Sequence, residues 1–196
     1  MSSLKELTAL FADIPGISKK IAQRLAIAVI ENKEISINLE KITDLSKSLV
    51  KDELTGLIIP KDSVANENKE KDVLLVVETN NEVLNVLDKT NSTKSMFILD
   101  MTNKRDFKNT EQVLKRLFAV LREYESKEIL FLLVPSIESE LIMRVIKEEL
   151  ENEKLPTKPK LTRIQMGIPF GGSIEFSDER TMKAAIEKRE EIGVNK

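Results

Sequence analysis

The 196-residue sequence predicts an α/β fold, in which a small N-terminal helical module precedes a mostly parallel sheet flanked by helices. Two observations predict this fold. Up to about residue 50, the apolar side chains recur at the three- and four-residue spacing of amphipathic helices. From residue 73 onward, short apolar runs rich in valine and leucine alternate with helical patterns, which is typical of buried parallel strands joined by crossover helices.

The composition excludes several classes of catalyst. The chain has 31 basic and 33 acidic residues, a net charge of −2, and no cysteine, histidine or tryptophan. Without thiol or imidazole groups there is no cysteine nucleophile, no Ser-His-Asp triad and no thiolate zinc site, so any metal would need oxygen ligands. No apolar run approaches the roughly 18 residues that a membrane span needs. We therefore expect a cytoplasmic protein without a membrane partner.

Three helices are predicted in the N-terminal module. The first covers residues 4–13 and ends at the sequence Ile-Pro-Gly-Ile, where proline restricts φ and glycine permits a positive φ, so we expect a tight turn. Ser18 is a suitable N-cap for a second helix from Lys19 to about Asn32. The spacing of the next leucines and isoleucines predicts a third helix that begins after Asn38.

The remainder of the chain begins with a polar segment, residues 62–71, whose composition predicts an exposed linker or loop. Beyond it we predict strands and helices in alternation, with a glycine-rich turn near the end and a final helix from Asp178. The predicted strands are residues 73–78, 95–100, 128–134 and 161–166, with a further short strand at 173–176.

A local excess of positive charge follows the Pro-Gly turn. Lys19, Lys20 and Arg24 lie in the first turns of the second helix, and the N–H groups of such a helix start can bind phosphate. This arrangement would bind a nucleic-acid backbone without sequence preference. From spacing alone, a plain helical hairpin with solvated lysines is the more common explanation.

Acidic side chains follow the predicted strands. Glu78 and Asp100 end the first two strands, and Glu138 and Glu140 follow the third. Because ligands of open α/β sheets bind beyond the carboxyl ends of the strands, these carboxylates could together hold Mg²⁺. Carboxylates at strand ends are common, however, and solvated charges are the more frequent explanation.

Local motifs add a resemblance to a known family. The stretch IPGISKKIAQRLAIAVI resembles the helix-hairpin-helix of the bacterial recombination mediator RecR, whose pattern is LPGhGxKxAxRhA. The matching positions are Pro15, Gly16, Ile17, Lys20, Ala22, Arg24, Leu25 and Ala26. Ser18 replaces the second glycine of that pattern, which puts a close approach to phosphate in doubt.

The second part of the chain resembles the Toprim domain of the same family. LLVVETNNEVLNVLD and LFLLVPSIESELIMRVI follow its two acidic motifs, with Pro135, Glu138 and Glu140 on matching positions and Val134 and Ser139 departing. The segment GIPFGGSIEFSDERTM (167–182) keeps the family's G-h-P-x-G-G-x-h-E pattern at almost every position. The resemblance covers nearly the whole chain, in the family's order.

One part of the family pattern is missing. RecR proteins carry a four-cysteine zinc finger between the two modules, whereas this chain has residues 52–72 there and no cysteine. An apolar cluster of Leu54, Leu57, Ile58 and Ile59 could replace the zinc, and a disordered loop is the alternative. We expect no cofactor, with Mg²⁺ at the Toprim carboxylates as a minor possibility.

The resemblance implies four segments: a helix-hairpin-helix module (1–51), the zinc-finger replacement (52–72), a Toprim domain (73–166) and a C-terminal segment (167–196). It implies a non-enzymatic recombination mediator that forms a dimeric or tetrameric ring around DNA. Such a protein binds duplex DNA and junctions with single strands, and with RecO and RecF it helps RecA to displace single-strand-binding protein at gaps and tails. Lys19, Lys20 and Arg24 would contact DNA, and Glu78, Glu138 and Glu140 would face RecO.

An enzyme is the competing interpretation. A Mg²⁺-dependent nuclease or primase-like protein would use Glu78, Glu138 and Glu140 as its metal ligands. The chain's single tyrosine, Tyr124, ends a predicted helix and is poorly placed to act as the nucleophile of a topoisomerase.

Overall fold

The computed structural model describes residues 2–100, 107–134, 136–164, 173–177, 179–187 and 189–191. The chain divides into two compact units, the first ending at Leu49 and the second beginning at Val50. Among the described residues, no helix combines the length and the apolar character needed to cross a membrane.

The first unit consists of three helices: α1 (Ser2–Ala12), α2 (Lys19–Glu31) and α3 (Lys33–Ser48). Its small core contains Phe11 of α1 and Ala22 and Ala26 of α2. The two alanines are completely buried, because their short side chains let α1 and α2 approach closely.

The predicted start of α3 after Asn38 is wrong, since the helix begins six residues earlier, at Lys33. Asn32 makes this early start possible. Its N–H donates to the carbonyl of Ala28 and so ends α2, while its side-chain oxygen accepts from the N–H of Glu34 at 2.9 Å and so caps α3. One residue therefore joins two helices that the apolar spacing placed further apart.

The second unit is built on a five-stranded sheet in the order β4-β3-β5-β6-β7, with a separate two-stranded sheet of β1 and β2 before it. The first four strands of the large sheet are parallel, and β7 runs antiparallel to β6. The strands are β1 (Leu49–Lys51), β2 (Ile58–Pro60), β3 (Glu70–Val77), β4 (Lys94–Ile98), β5 (Glu128–Phe131), β6 (Lys160–Arg163) and β7 (Glu190–Glu191). The predicted α/β class with a mostly parallel sheet is confirmed.

Helices cover both faces of the large sheet. They are α4 (Asn80–Thr90), α5 (Phe107–Tyr124), α6 (Ile137–Asn152) and α7 (Glu179–Glu187). Alternate residues of β3 point to opposite faces: Leu74 and Val76 pack with α5 and α6, whereas Leu75 and Val77 pack with α4 and α7. Both faces are therefore buried, which explains why the strands are continuous apolar runs.

Two details near the C-terminus differ from the sequence prediction. Residues Ile174–Phe176 form a 3₁₀-helix capped by Ser173 rather than a short strand. The final strand, β7, has no counterpart among the predicted strands, because it is short and acidic and lies at the edge of the sheet, where it pairs only with β6. The glycine-rich turn at residues 167–172, Pro135 and Asp178 lie outside the described residues.

As predicted, most of the segment between β2 and β3 is an exposed loop without helix or strand. It is nevertheless held against the sheet, contrary to the alternative of a disordered loop. Ala65 and Asn66 are buried. The Asn66 side chain donates to the carbonyl of Met96 and accepts from its N–H, both at 2.9 Å, so it pairs with β4 as a neighbouring strand would. Because β4 is the edge of the sheet, this segment covers an otherwise open edge.

The four apolar residues expected to replace the zinc do not form a cluster of their own. Leu57 and Ile59 pack into the core on one face of the sheet, and Leu54 packs against the core on the other. Ile58 is 55% exposed. The segment is thus held by packing its apolar side chains into the two cores of the sheet and by hydrogen bonding to the edge strand β4. There Ile98 donates its N–H to the carbonyl of Thr55 at 2.8 Å.

Candidate functional site: a basic helical hairpin and an acidic sheet edge

The Pro-Gly turn of the first unit has the predicted geometry. Gly16 has φ of +87°, and the N–H of Ile17 donates to the carbonyl of Ile14 at 3.1 Å, which closes a β-turn with proline second and glycine third, the type II arrangement. A Cβ placed on Gly16 would have no heavy atom within 4 Å. The turn therefore needs glycine for its backbone conformation, and its outer side is open for another molecule to approach.

Ser18 caps α2, as predicted. Its backbone is extended, with φ of −72°, and its side-chain oxygen accepts from the N–H of Ile21 at 3.4 Å. A residue with a negative φ has no conformational need for glycine. Serine at this position therefore keeps the turn geometry intact, although its side chain occupies space that a glycine would leave open.

The structure places the three predicted basic residues at the start of α2, all of them exposed. Lys20 and Arg24 are four residues apart, so they lie on one face of the helix, opposite the buried Ala22 and Ala26. Lys19 lies about 100° around the helix from Lys20. The pair Lys20 and Arg24, beside the open turn, is the compact part of this basic surface.

Two of the predicted carboxylates line a common pocket. Glu78, directly after β3, and Glu138, in the first turn of α6, line one small pocket at the carboxyl ends of the strands. The pocket measures about 10 Å³, the lower limit for one water molecule. Its other lining residues are Leu99, Leu133, Ser136, Ser139 and Ile142.

The other two predicted carboxylates form ion pairs with cations of the chain. Glu140 pairs with Arg163 of β6 at 2.5 Å, and Asp100 pairs with Lys51 of β1. Among the residues that the structure describes, no three acidic side chains are grouped as metal ligands. No local pattern in the chain indicates the Lys51 and Arg163 pairings, because each joins residues far apart in sequence.

A serine pair holds the start of α6, where Ser139 departs from the family's glycine. Ser139 donates its N–H to Ser136 Oγ at 3.1 Å, and Ser136 donates its N–H to Ser139 Oγ at 2.9 Å. Ser139 Oγ also donates to the carbonyl of Val134 at 2.8 Å. The departure therefore has a structural reason, since the second serine completes a capping box in place of the usual glutamate or glutamine.

Tyr124 is placed where it cannot attack a substrate. The side chain is buried, and its hydroxyl group donates to the carbonyl of Ala65 at 3.2 Å and accepts from Asn66 at 3.3 Å. Burial raises the pKa of this phenol, which works against forming a phenolate nucleophile.

The similarity of this chain to known proteins extends over both units. The sequence model of the family described as "RecR, C-terminal" matches residues 167–190. The Recombination protein RecR of Chloroherpeton thalassium is 29% identical over 93% of this chain and 93% of that protein. The Recombination protein RecR of Clostridium perfringens is 28% identical over 95% of this chain and 96% of that protein. That of Syntrophomonas wolfei subsp. wolfei is 28% identical over 96% of this chain and 97% of that protein. The similarity thus includes the basic hairpin, the acidic edge and the segment between them.

Proposed function

We infer that this chain, a homologue of the RecR recombination proteins that lacks the four-cysteine zinc finger, acts in DNA recombination and repair. Similarity over nearly the full length to proteins that carry this name supports the role. The observation that carries the mechanism is the hairpin of the first unit. There an open type II turn precedes a capped helix whose Lys20 and Arg24 share one exposed face.

We propose that this hairpin binds the DNA backbone. The N–H groups at the start of α2 and the cations of Lys19, Lys20 and Arg24 would contact phosphates, and phosphate contacts carry no sequence preference. With a net charge of −2 for the whole chain, one hairpin would bind weakly. Several copies in a dimeric or tetrameric ring would face the same duplex, and their contacts would reinforce one another.

In the cell, the proposed role is that of a mediator rather than an enzyme. With RecO and RecF, the ring would act on duplex DNA and at single-strand junctions, and would help RecA to replace single-strand-binding protein. The buried Tyr124 and the pairing of Asp100 and Glu140 with cations support a role without strand cleavage. Incubation with nicked and single-stranded DNA and Mg²⁺ tests this point, because cleavage abolished by Glu78→Gln would favour a nuclease.

DNA binding is tested by replacing Lys20 and Arg24 with alanine and measuring fluorescence anisotropy on duplex and tailed DNA at several salt concentrations. The double variant should bind all sequences more weakly, and the salt slope should fall by about one for each phosphate that the variant no longer neutralises. Lys154→Ala with Lys158→Ala is the matched control, since it removes two exposed charges from the second unit. Equal binding by both double variants would show that the hairpin is not the DNA site.

The acidic edge is the proposed binding surface for RecO. Glu78, Glu138 and Glu140 would attract a basic surface of that partner, raising the rate of encounter and the selectivity more than the affinity. Charge reversal of Glu138 and Glu140 to lysine should impair capture of purified RecO and leave DNA binding unchanged. Glu149→Lys with Glu151→Lys, near the other end of α6, is the control.

We also propose that no metal holds the zinc-finger replacement together. The chain offers no thiolate or imidazole, and the segment is attached to the sheet by the Asn66 and Thr55 hydrogen bonds instead. Unfolding should therefore be unaffected by a chelator such as EDTA, and elemental analysis of the purified protein should detect no stoichiometric zinc.

A further inference from the structure

The first turns of α6 expose two large apolar side chains beside the acidic edge. Ile137 is 73% exposed, which makes it the most exposed large hydrophobic residue in the described part of the chain, and Leu141 is 54% exposed. They are four residues apart and so lie on the same face of the helix. Together they form a contiguous apolar spot at the helix start, which we call the apolar pair.

The apolar pair stands on a well-fixed helix. The reciprocal hydrogen bonds of Ser136 and Ser139 cap α6 on either side of Ile137 in the sequence. The opposite face of α6 is anchored in the sheet core by Ile142, Met143, Ile146 and Leu150. The exposure therefore belongs to an ordered surface, and a partner that contacted it would restrict little further side-chain and backbone freedom of this chain.

Carboxylates flank the apolar pair. Around the helix, Glu138 lies about 100° from Ile137 on one side and Glu140 about 60° on the other, so a carboxylate stands on each side of the apolar centre. The same exposed face carries Arg144 and Glu148 further along, which gives three carboxylates against one guanidinium. Arg163 compensates Glu140 in part. An apolar centre with a charged rim is the usual anatomy of a protein-binding surface.

We propose that Ile137 and Leu141 are the apolar anchor of the surface that binds the basic protein partner. The partner segment would present an apolar side chain flanked by lysines or arginines. This inference rests on the proposed function, in which that partner is RecO. Charge argues against the other occupants: a second copy packed on this face in a two-fold manner would oppose like carboxylates, and an anionic membrane would be repelled.

The test uses a double variant that carries both Ile137→Ala and Leu141→Ala, and compares it with the unaltered protein. Alanine keeps the helix propensity, so folding is retained, and a thermal melt checks this. The matched control is Leu84→Ala, which removes an equally large side chain that is 61% exposed on α4, across the sheet. The measurements are affinity for purified RecO by calorimetry at low and high salt, affinity for DNA, and mass by light scattering.

The double variant should bind RecO at least ~10-fold more weakly, by a similar factor at each salt concentration, because an apolar contact is not screened. Its DNA binding and mass should be unchanged, and Leu84→Ala should bind RecO normally. Normal RecO binding by the double variant, together with loss on reversal of Glu138 and Glu140, would overturn this inference and leave the proposed function standing. A fall in mass would assign the apolar pair to a contact between copies and overturn it as well. No RecO binding by the unaltered protein would overturn both.

Discussion

Asn66 offers the sharpest test of how the second unit holds together without zinc. Its side chain makes three hydrogen bonds: it donates to the carbonyl of Met96 at 2.9 Å and to the Tyr124 hydroxyl at 3.3 Å, and it accepts from the N–H of Met96 at 2.9 Å. Its backbone is left-handed, with φ of 58°, a conformation that asparagine tolerates better than most residues. Asn66→Ala removes the bonds and strains the backbone together.

The size of the effect follows from these contacts. Met96 is 3% exposed, so its N–H and C=O would be left without a partner inside the protein, at about 1–3 kcal/mol for each group. Alanine in a left-handed conformation adds about 1–2 kcal/mol. These contributions sum to about 3–8 kcal/mol, so we expect Asn66→Ala to lower the free energy of unfolding of the second unit by at least about 3 kcal/mol, and its melting temperature by about 10 °C or more.

The chain provides its own probe for this measurement. Tyr124 is the single tyrosine, there is no tryptophan, and its hydroxyl contacts Asn66 directly, so tyrosine fluorescence during urea unfolding reports on the second unit. Amide hydrogen exchange gives a second, local readout, because the N–H of Met96 should exchange faster in the variant than in the unaltered protein.

Two control variants separate the causes. Asn66→Gly also loses the hydrogen bonds, but glycine adopts the left-handed backbone conformation without strain. It should therefore be more stable than Asn66→Ala by about 1 kcal/mol. Asn68→Ala changes an exposed asparagine of the same segment and should alter stability by no more than about 0.5 kcal/mol. If Asn66→Ala unfolds at the same urea concentration as Asn68→Ala, the attachment through Asn66 does not stabilise this unit.

Further predictions concern an ion pair and two glycines. Burial alone would raise the pKa of Glu128, but hydrogen bonds from Arg189 and Thr162 outweigh it and lower the pKa below its ordinary value. Ionised Glu128 therefore stabilises the folded state at a pH above its ordinary pKa, and this stabilisation is lost as the pH falls through the lowered pKa. Glu128→Gln should make the free energy of unfolding, measured by urea unfolding, depend less on pH in the acid range. Gly16→Ala should cost about 1–2 kcal/mol from its positive φ alone, whereas Gly56→Ala should cost more, because the new Cβ would also lie 3.1 Å from the Cβ of Ile98. Calorimetric melting of the two variants checks this order, and a larger loss at Gly16 would contradict it.

The local features of the fold could be predicted because they depend on neighbouring residues. The type II turn needs only proline and glycine in order, and the cap at Ser18 needs only a hydroxyl before a helix. The parallel strands were recognisable because strands buried on both faces are continuous apolar runs. Predictions failed where one polar side chain decided the outcome, as Asn32 did for the start of α3.

The candidate site was predictable in part. The exposed face shared by Lys20 and Arg24 follows directly from their four-residue spacing on a helix. The spacing of the acidic residues offers no such guidance, because their grouping depends on the order of the strands and on which cations lie opposite. Glu78 and Glu138 line one pocket, while Glu140 faces Arg163 on the neighbouring strand.

For this protein, periodicity and local motifs were enough to identify the helical module, the α/β unit and the basic hairpin, since each depends on contacts within a few residues. Tertiary structure alone decided how the chain manages without cysteine. Asn66 and Thr55 meet Met96 and Ile98 across about thirty to forty residues of sequence, so a segment with the composition of a loop becomes the cover of a sheet edge. The physical reason is that the backbone groups of an edge strand need partners, and any segment that brings a polar group to the right place can supply them.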